Sequence, residues 1–207
     1  MAPAPTAGRP RALVTGASAG IGMAFAEQLA RAGHDLILVA RRRDWLEALA
    51  ERLRRDTGVH AEVVGADLTD AGTLAELESR VADDQSLALL VNNAGFGGYH
   101  PFASIAPKTV DDLIDIHVRA VARLTRAVLP GMVRRGAGGI INIASPLALS
   151  GTLPPDPLPH RATYAAAKAF LVTFTQALAG ELTGTGVRVQ VCFAGSGRYR
   201  IPHIAGN

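Results

Sequence analysis

The stretch Thr15-Gly16-Ala17-Ser18-Ala19-Gly20-Ile21-Gly22 has the residue types that hold a phosphate without a charged side chain. A glycine-rich turn leading from strand to helix aims backbone N–H groups and the positive end of a helix dipole at a pyrophosphate. Gly16 suits the tight turn, Gly20 the close approach of ligand to backbone, and Gly22 close packing of helix on strand. Further on, Ala40-Arg41-Arg42 stands where a dinucleotide site usually carries an acidic residue for the ribose hydroxyls. Guanidinium forks there suit a 2′-phosphate and point to NADP(H) rather than NAD(H). The plainer reading is a solvated basic cap on the next helix, although arginine matches the dipole poorly at that end. Tyr164 and Lys168 are four residues apart, so on a helix they lie one above the other on a single face, and Ser145 precedes them at the end of an apolar run.

The elements that must position these groups follow from periodicity. Apolar runs at 12–14, 35–40, 61–65, 87–91, 139–144 and 187–193 read as buried strands. Between them lie amphipathic stretches: a helix after Gly22, one through Leu46, Leu49 and Leu53 with Asp44 as N-cap, and one over 71–83. A long helix is expected over 109–133, with Pro130 bending or loosening its last turn. Another begins near Tyr164 and runs to Leu182, apolar or small almost all round. Strands alternating with helices at this spacing predict an α/β fold, a Rossmann-like doubly wound parallel sheet in a single domain. Trp45 reads as a packing residue, Asp67 by itself as a turn residue, and the proline-rich 153–159 segment as a loop bordering the ligand cleft.

From Arg11 to about Gly195 the chain resembles the short-chain dehydrogenase/reductase family. The motifs that carry the resemblance are the 15–22 turn, Asp67-Leu68, Asn92-Asn93-Ala94-Gly95, Ile143-Ala144-Ser145 and Tyr164-x-x-x-Lys168. The resemblance implies cofactor contacts from Gly16, Ser18, Ala19, Gly20, Ile21, Gly22, Arg41, Arg42, Asp67, Leu68, Asn93, Ala94, Gly95, Tyr164 and Lys168. It implies Tyr164 as the general acid or base of hydride transfer, and Ser145 as the hydrogen-bond donor to the substrate oxygen. An unperturbed phenol has a pKa of about 10, and a neighbouring ammonium would lower it, the role implied for Lys168 beside its hold on the nicotinamide ribose. Asn92 would support the central strand. His117 occupies the place of an asparagine that anchors a water in the family's proton relay; it either supports such a chain or is a core substitution. The interval from Ser145 to Tyr164 is longer than in the family. The segment 196–207 is too short and polar for the family's helical cover, so most of the C-terminal substrate lobe and the seventh strand are expected to be lacking.

With 48% hydrophobic and 19% charged residues, the composition suits a packed core. The organisation expected is a loose Ala- and Pro-rich leader over 1–10, then one catalytic domain over 11–207. The single cysteine, Cys192, can form no intrachain disulfide; it reads as a core filler in a cytoplasmic protein. A net charge of +3 with scattered arginines argues against nucleic acid, and no apolar run reaches the ~20 residues of a membrane span. No metal site is expected. The partners expected are a small carbonyl or alcohol substrate and copies of the same chain, as a homodimer or homotetramer. The function these readings favour is NADP-dependent reduction of a ketone or aldehyde, or alcohol oxidation in reverse. The alternative is an NADP-binding protein of low or no turnover, such as a sensor, partner subunit or truncated remnant.

Overall fold

Aliphatic runs that cannot be left in water pair here into one parallel sheet, covered on both faces by the helices that connect its strands. The computed structural model describes residues 8–194. Most of the expected leader and the 196–207 tail lie outside these residues. The strands are β1 (Arg11–Thr15), β2 (Asp35–Ala40), β3 (Ala61–Gly65), β4 (Leu87–Asn92), β5 (Gly138–Ala144) and β6 (Val187–Phe193). Their order across the sheet is β3-β2-β1-β4-β5-β6, all parallel. The chain therefore starts in the middle, winds outward to β3, then crosses back past β1 to build the other half. That reversal leaves a crevice at the carboxyl ends of β1 and β4, where this architecture takes its ligands.

On one face, α1 (Gly20–Arg31) and α2 (Arg43–Thr57) bury Phe25, Leu29, Leu46, Leu49 and Leu53 against Val14, Leu36 and Leu38. On the other, α3 (Ala71–Ala82), α5 (Ala120–Arg135) and α6 (Ala162–Glu181) bury Leu74, Leu77, Leu124, Val128 and Leu178 against Leu13, Ile37 and Leu90. Each such side chain contributes about 1.5–3 kcal/mol by leaving water, which is the main favourable term of the fold. Cys192, at the outer strand, is only partly buried and packs on the rim of the first layer.

Two helix expectations are corrected. The segment expected as one helix over 109–133 is α4 (Pro107–Ile114), a π-helical turn at Asp115–Arg119, and then α5. Pro130 sits inside α5, which continues to Arg135 and ends at left-handed Gly136, with φ of 65°. Asp44 is not the N-cap of α2. Arg42 takes that position without a side-chain cap, and Asp44 falls in the first turn, where its charge suits the dipole.

A buried polar seam ties the central strands to the second helix layer. The Asn92 amide donates to the Asn142 side-chain oxygen (2.9 Å), and the Asn142 amide donates to Thr175 Oγ1 (2.9 Å) on α6. Asn92 also reaches Thr125 of α5 at 3.3 Å, and Thr175 Oγ1 donates to the Leu171 carbonyl. Asn142 is fully buried, so its loss exposes the partners to no water. Asn142→Ala is expected to lower stability by about 2–4 kcal/mol through unpaired groups and a small cavity, read as the shift in urea midpoint at constant m-value.

Candidate active site

The glycine-rich turn, the ends of the strands and the start of α6 enclose a cavity of about 430 Å³. Gly16, Ser18, Ala19 and Ile21 line it from the first turn, and Arg41 and Arg42 from the end of β2. Asp67 and Leu68 follow β3, Asn93, Ala94 and Gly95 follow β4, and His117, Tyr164 and Lys168 enter from the helices. Gly20, Gly22 and Ser145 are not among the residues that line it. The turn is built for close approach: Gly16 and Gly20 have φ of +68° and +56°, and a Cβ on Gly22 would overlap the Gly16 carbonyl and the Asn93 amide. The Asn93 amide, in turn, donates to the Thr15 carbonyl at 2.9 Å, while Thr15 Oγ1 accepts from the backbone N–H groups of Asn93 and Ala94. At the N-terminus of α1, Ala19 offers no side-chain acceptor and the first turn holds no acidic residue. Its N–H groups are thus left to an anion, which fits a dinucleotide pyrophosphate.

The proton-bearing groups lie at the other end of the cavity. Lys168 is buried and donates to the Ile143 carbonyl at 2.6 Å, with its nitrogen 5.8 Å from the centre of the Tyr164 ring. Burial pushes its ammonium down to about 8. The expected lowering of Tyr164 is not found in this geometry. Burial raises the phenol above its usual range, Tyr99 adds to the rise, and the Ser145 hydroxyl opposes it. Ser145 also caps the 3-10 turn Pro146–Leu149, accepting from the Leu147 N–H at 3.2 Å. His117 sits in the π-helical turn, 1% exposed, edge-on to Tyr164 with ring centres 5.4 Å apart. One ring nitrogen, Nε2, bonds the Phe96 carbonyl at 2.9 Å, and Nδ1 has no partner among the described residues. Burial first, and the Lys168 charge second, hold its pKa down to about 4, so the ring is neutral and Nε2 carries the hydrogen. Asp67 accepts from the N–H and hydroxyl of Thr69 at 3.0 and 2.8 Å, a turn residue that also borders the cavity.

The model of the short chain dehydrogenase family matches residues 10–198. The chain belongs to that family. A bulky-bulky ketone specific alcohol dehydrogenase from Comamonas testosteroni superposes with a TM-score of 0.83 at 40% identity, covering 88% of this chain and 71% of that one. A short-chain dehydrogenase from Sphingobium yanoikuyae, solved in complex with NADPH, gives the same score and identity over 88% and 69%. Very-long-chain 3-oxoacyl-CoA reductase from Anas platyrhynchos is 33% identical over 183 residues. The chain spans 57% of that relative's length and 53% of a hydroxysteroid dehydrogenase-like protein from Gallus gallus.

In this member of the short chain dehydrogenase family, side chains that the sequence motifs do not mark also shape the site. Tyr99 packs edge-on to Tyr164 with centres 5.3 Å apart. Gly95, which the motifs do mark, must lack a Cβ because one would overlap the His117 ring. Arg161, 8% exposed, has no carboxylate partner among the described residues; its guanidinium donates to Ser150 Oγ (2.6 Å) and to the carbonyls of Ser150 (2.7 Å), Leu153 (3.0 Å) and Pro159 (3.0 Å). It thereby straps both ends of the proline-rich loop to the start of α6. Trp45 is not the packing residue expected. It is 50% exposed, off the buried stripe of α2, with the Arg42 guanidinium carbon 3.9 Å from its ring centre.

The buried neutral His117 makes stability depend on pH. Its folded value of about 4 lies below the ~6.5 of an unfolded chain, so the unfolded chain binds the proton first. The stability it contributes is complete above about pH 6.5 and is lost as pH falls toward 4. Burial displaces His34 in the same direction, so the informative quantity is a difference. Between pH 7.5 and pH 5 the protein is expected to lose about 2 kcal/mol more urea stability than His117→Asn does.

Proposed function

We propose that the chain is an NADP(H)-dependent oxidoreductase that reduces a ketone or aldehyde, with Tyr164 as the proton donor. The observation that carries this reading is a shared cavity: Arg41, Arg42 and Ser18 line one part of it, and Tyr164 and Lys168 another. A nicotinamide dinucleotide held there supplies a hydride to the carbonyl carbon. Tyr164 gives its phenolic proton to the carbonyl oxygen, so that the product is the alcohol. Ser145, whose hydroxyl faces the phenol, holds that oxygen by a hydrogen bond. The raised Tyr164 pKa keeps the phenol protonated near neutrality, which suits the reductive direction. Lys168 stands beneath the phenol on the next turn of α6; its ammonium steadies the phenolate left by proton transfer and binds the nicotinamide ribose. His117 closes the site from behind.

The other reading is an NADP-binding protein of little turnover. It draws on the bond that Lys168 makes to Ile143 rather than to Tyr164, and on a buried phenol that is a poor base for the reverse reaction. This proposal also includes a homodimer or homotetramer and a cytoplasmic location. Support for association comes from Ile114 and Val133, exposed on α4 and α5, and from the small residues Ala162, Ala166 and Ala177 on the outer face of α6. No helix among the described residues is long and apolar enough to cross a membrane.

NADPH is expected to bind at least tenfold more tightly than NADH, since charge-assisted contacts to a phosphate contribute about 1.5–3 kcal/mol each. Replacing Arg41 and Arg42 together with alanine should narrow that gap; equal affinities in the unmodified protein would refute the NADP assignment. In a carbonyl screen, Tyr164→Phe should lower kcat roughly 10²–10⁴-fold on any accepted substrate while leaving the NADPH dissociation constant nearly unchanged. Most of the activity surviving in that variant would remove Tyr164 from the chemistry, and NADPH binding without turnover of any carbonyl would favour the second reading.

A further inference from the structure

Arg42 and Trp45 form a unit whose role is not explained by packing. The buried stripe of α2 is Leu46, Leu49, Ala50 and Leu53, and Trp45 is not part of it. Half of its surface stays in water. What the indole does touch is the Arg42 guanidinium, stacked over the ring at 3.9 Å. The same guanidinium donates to Ser18 Oγ at 3.2 Å, in the turn that precedes α1. No carboxylate pairs with Arg42 among the described residues, whereas its neighbour Arg43 is taken up by Glu47 at 2.8 Å. Arg42 is thus held by an aromatic face and a hydroxyl, and its charge stays unneutralised at the wall of the cavity.

We propose that Trp45 is a positioning residue for the 2′-phosphate of NADP(H): its indole face holds Arg42 against Ser18 and so sets part of the preference over NAD(H). The inference rests on the NADP(H) reading given above. An arginine free in water loses much rotamer freedom when it clamps a phosphate, and a side chain already stacked has lost most of it beforehand. Stacking of a cation on an exposed indole gives a free-energy gain of the size that changes affinity about two- to fivefold. Trp45 acts through Arg42, so its effect appears only for ligands that carry the 2′-phosphate, and only while Arg42 is present.

Trp45 is the single tryptophan of the chain, so its fluorescence reports on this unit alone. Titration with adenosine 2′,5′-bisphosphate is expected to change the emission saturably, while ADP at the same concentrations leaves it nearly unchanged. An equal response to both would mean that the indole meets the adenosine itself, and would overturn the proposal. In binding measurements, Trp45→Leu should weaken NADPH two- to fivefold and leave NADH unchanged; Trp45→Phe, which keeps an aromatic face, should retain most of the preference. In an Arg42→Ala background, Trp45→Leu should have no further effect. A variant that keeps the full NADPH preference, or weakens both cofactors alike, refutes the role of Trp45 and leaves the NADP(H) reading standing. Equal binding of NADPH and NADH by the unmodified protein refutes that reading, and the role of Trp45 with it.

Discussion

The site depends first on the contact between the β1–α1 turn and the residues that leave β4. Asn93 bonds the Thr15 carbonyl, Thr15 Oγ1 accepts from two backbone N–H groups across the gap, and Gly22 lets the helix come down on the turn. A methyl group at Gly16 would meet the Asn93 amide at 2.7 Å, and one at Gly22 would collide with the turn itself. The two strands that flank the crevice are therefore locked to each other at the level where the first turn of α1 opens. Everything else in the site is measured from that lock: the N–H groups of α1 on one side, and the loop from Ala94 to Tyr99 on the other. Backbone atoms carry most of it, which is why small residues dominate the stretch.

The opposite end of the cavity is governed by desolvation. Tyr164, Lys168 and His117 are packed close together, and burial is the largest influence on each. For the phenol it favours the protonated form; for the ammonium and the imidazole it favours the neutral one. The two bases cannot both be charged at little cost, and the Lys168 charge is itself a cause of the His117 shift. The result is a histidine that behaves as a neutral wall, bonded through one nitrogen to Phe96. Lys168, pushed down to about 8 by burial, donates to the Ile143 carbonyl. A water-excluding environment strengthens whatever electrostatic contact is made inside it, so the same burial that penalises these charges raises their effect on a bound carbonyl.

Much of this was legible in the chain. Aliphatic runs located all the strands to within a residue or two, because a parallel sheet buried on both faces demands continuous apolar stretches. The phosphate turn was legible for a similar reason, since positive φ and close approach leave few alternatives to glycine. Residues whose contacts depend on tertiary geometry were not. The π-helical turn around His117 has no local signature in the apolar stripe, which runs through it without a break. Asp44 is a good cap by residue type, yet Arg42 holds that place by backbone conformation alone. Size and hydrophobicity argue for burial of Trp45, and the neighbouring guanidinium is what the indole meets at the surface instead.

Arg161 carries this point furthest. A buried arginine is ordinarily sought beside a carboxylate, and by that rule it would be an unpaired charge, among the most costly features a core can hold. Here its acceptors are three backbone carbonyls and one serine hydroxyl, none of which a residue-type search would select. Those carbonyls belong to the long segment between Ser145 and Tyr164, where proline leaves fewer backbone donors to compete for them. The segment that looks in sequence like a loose insertion is thus folded around one guanidinium, three residues before Tyr164. The fold of that loop and the position of the phenol are parts of one arrangement: the loop satisfies the buried charge, and the charge fixes where α6, with Tyr164 and Lys168, begins.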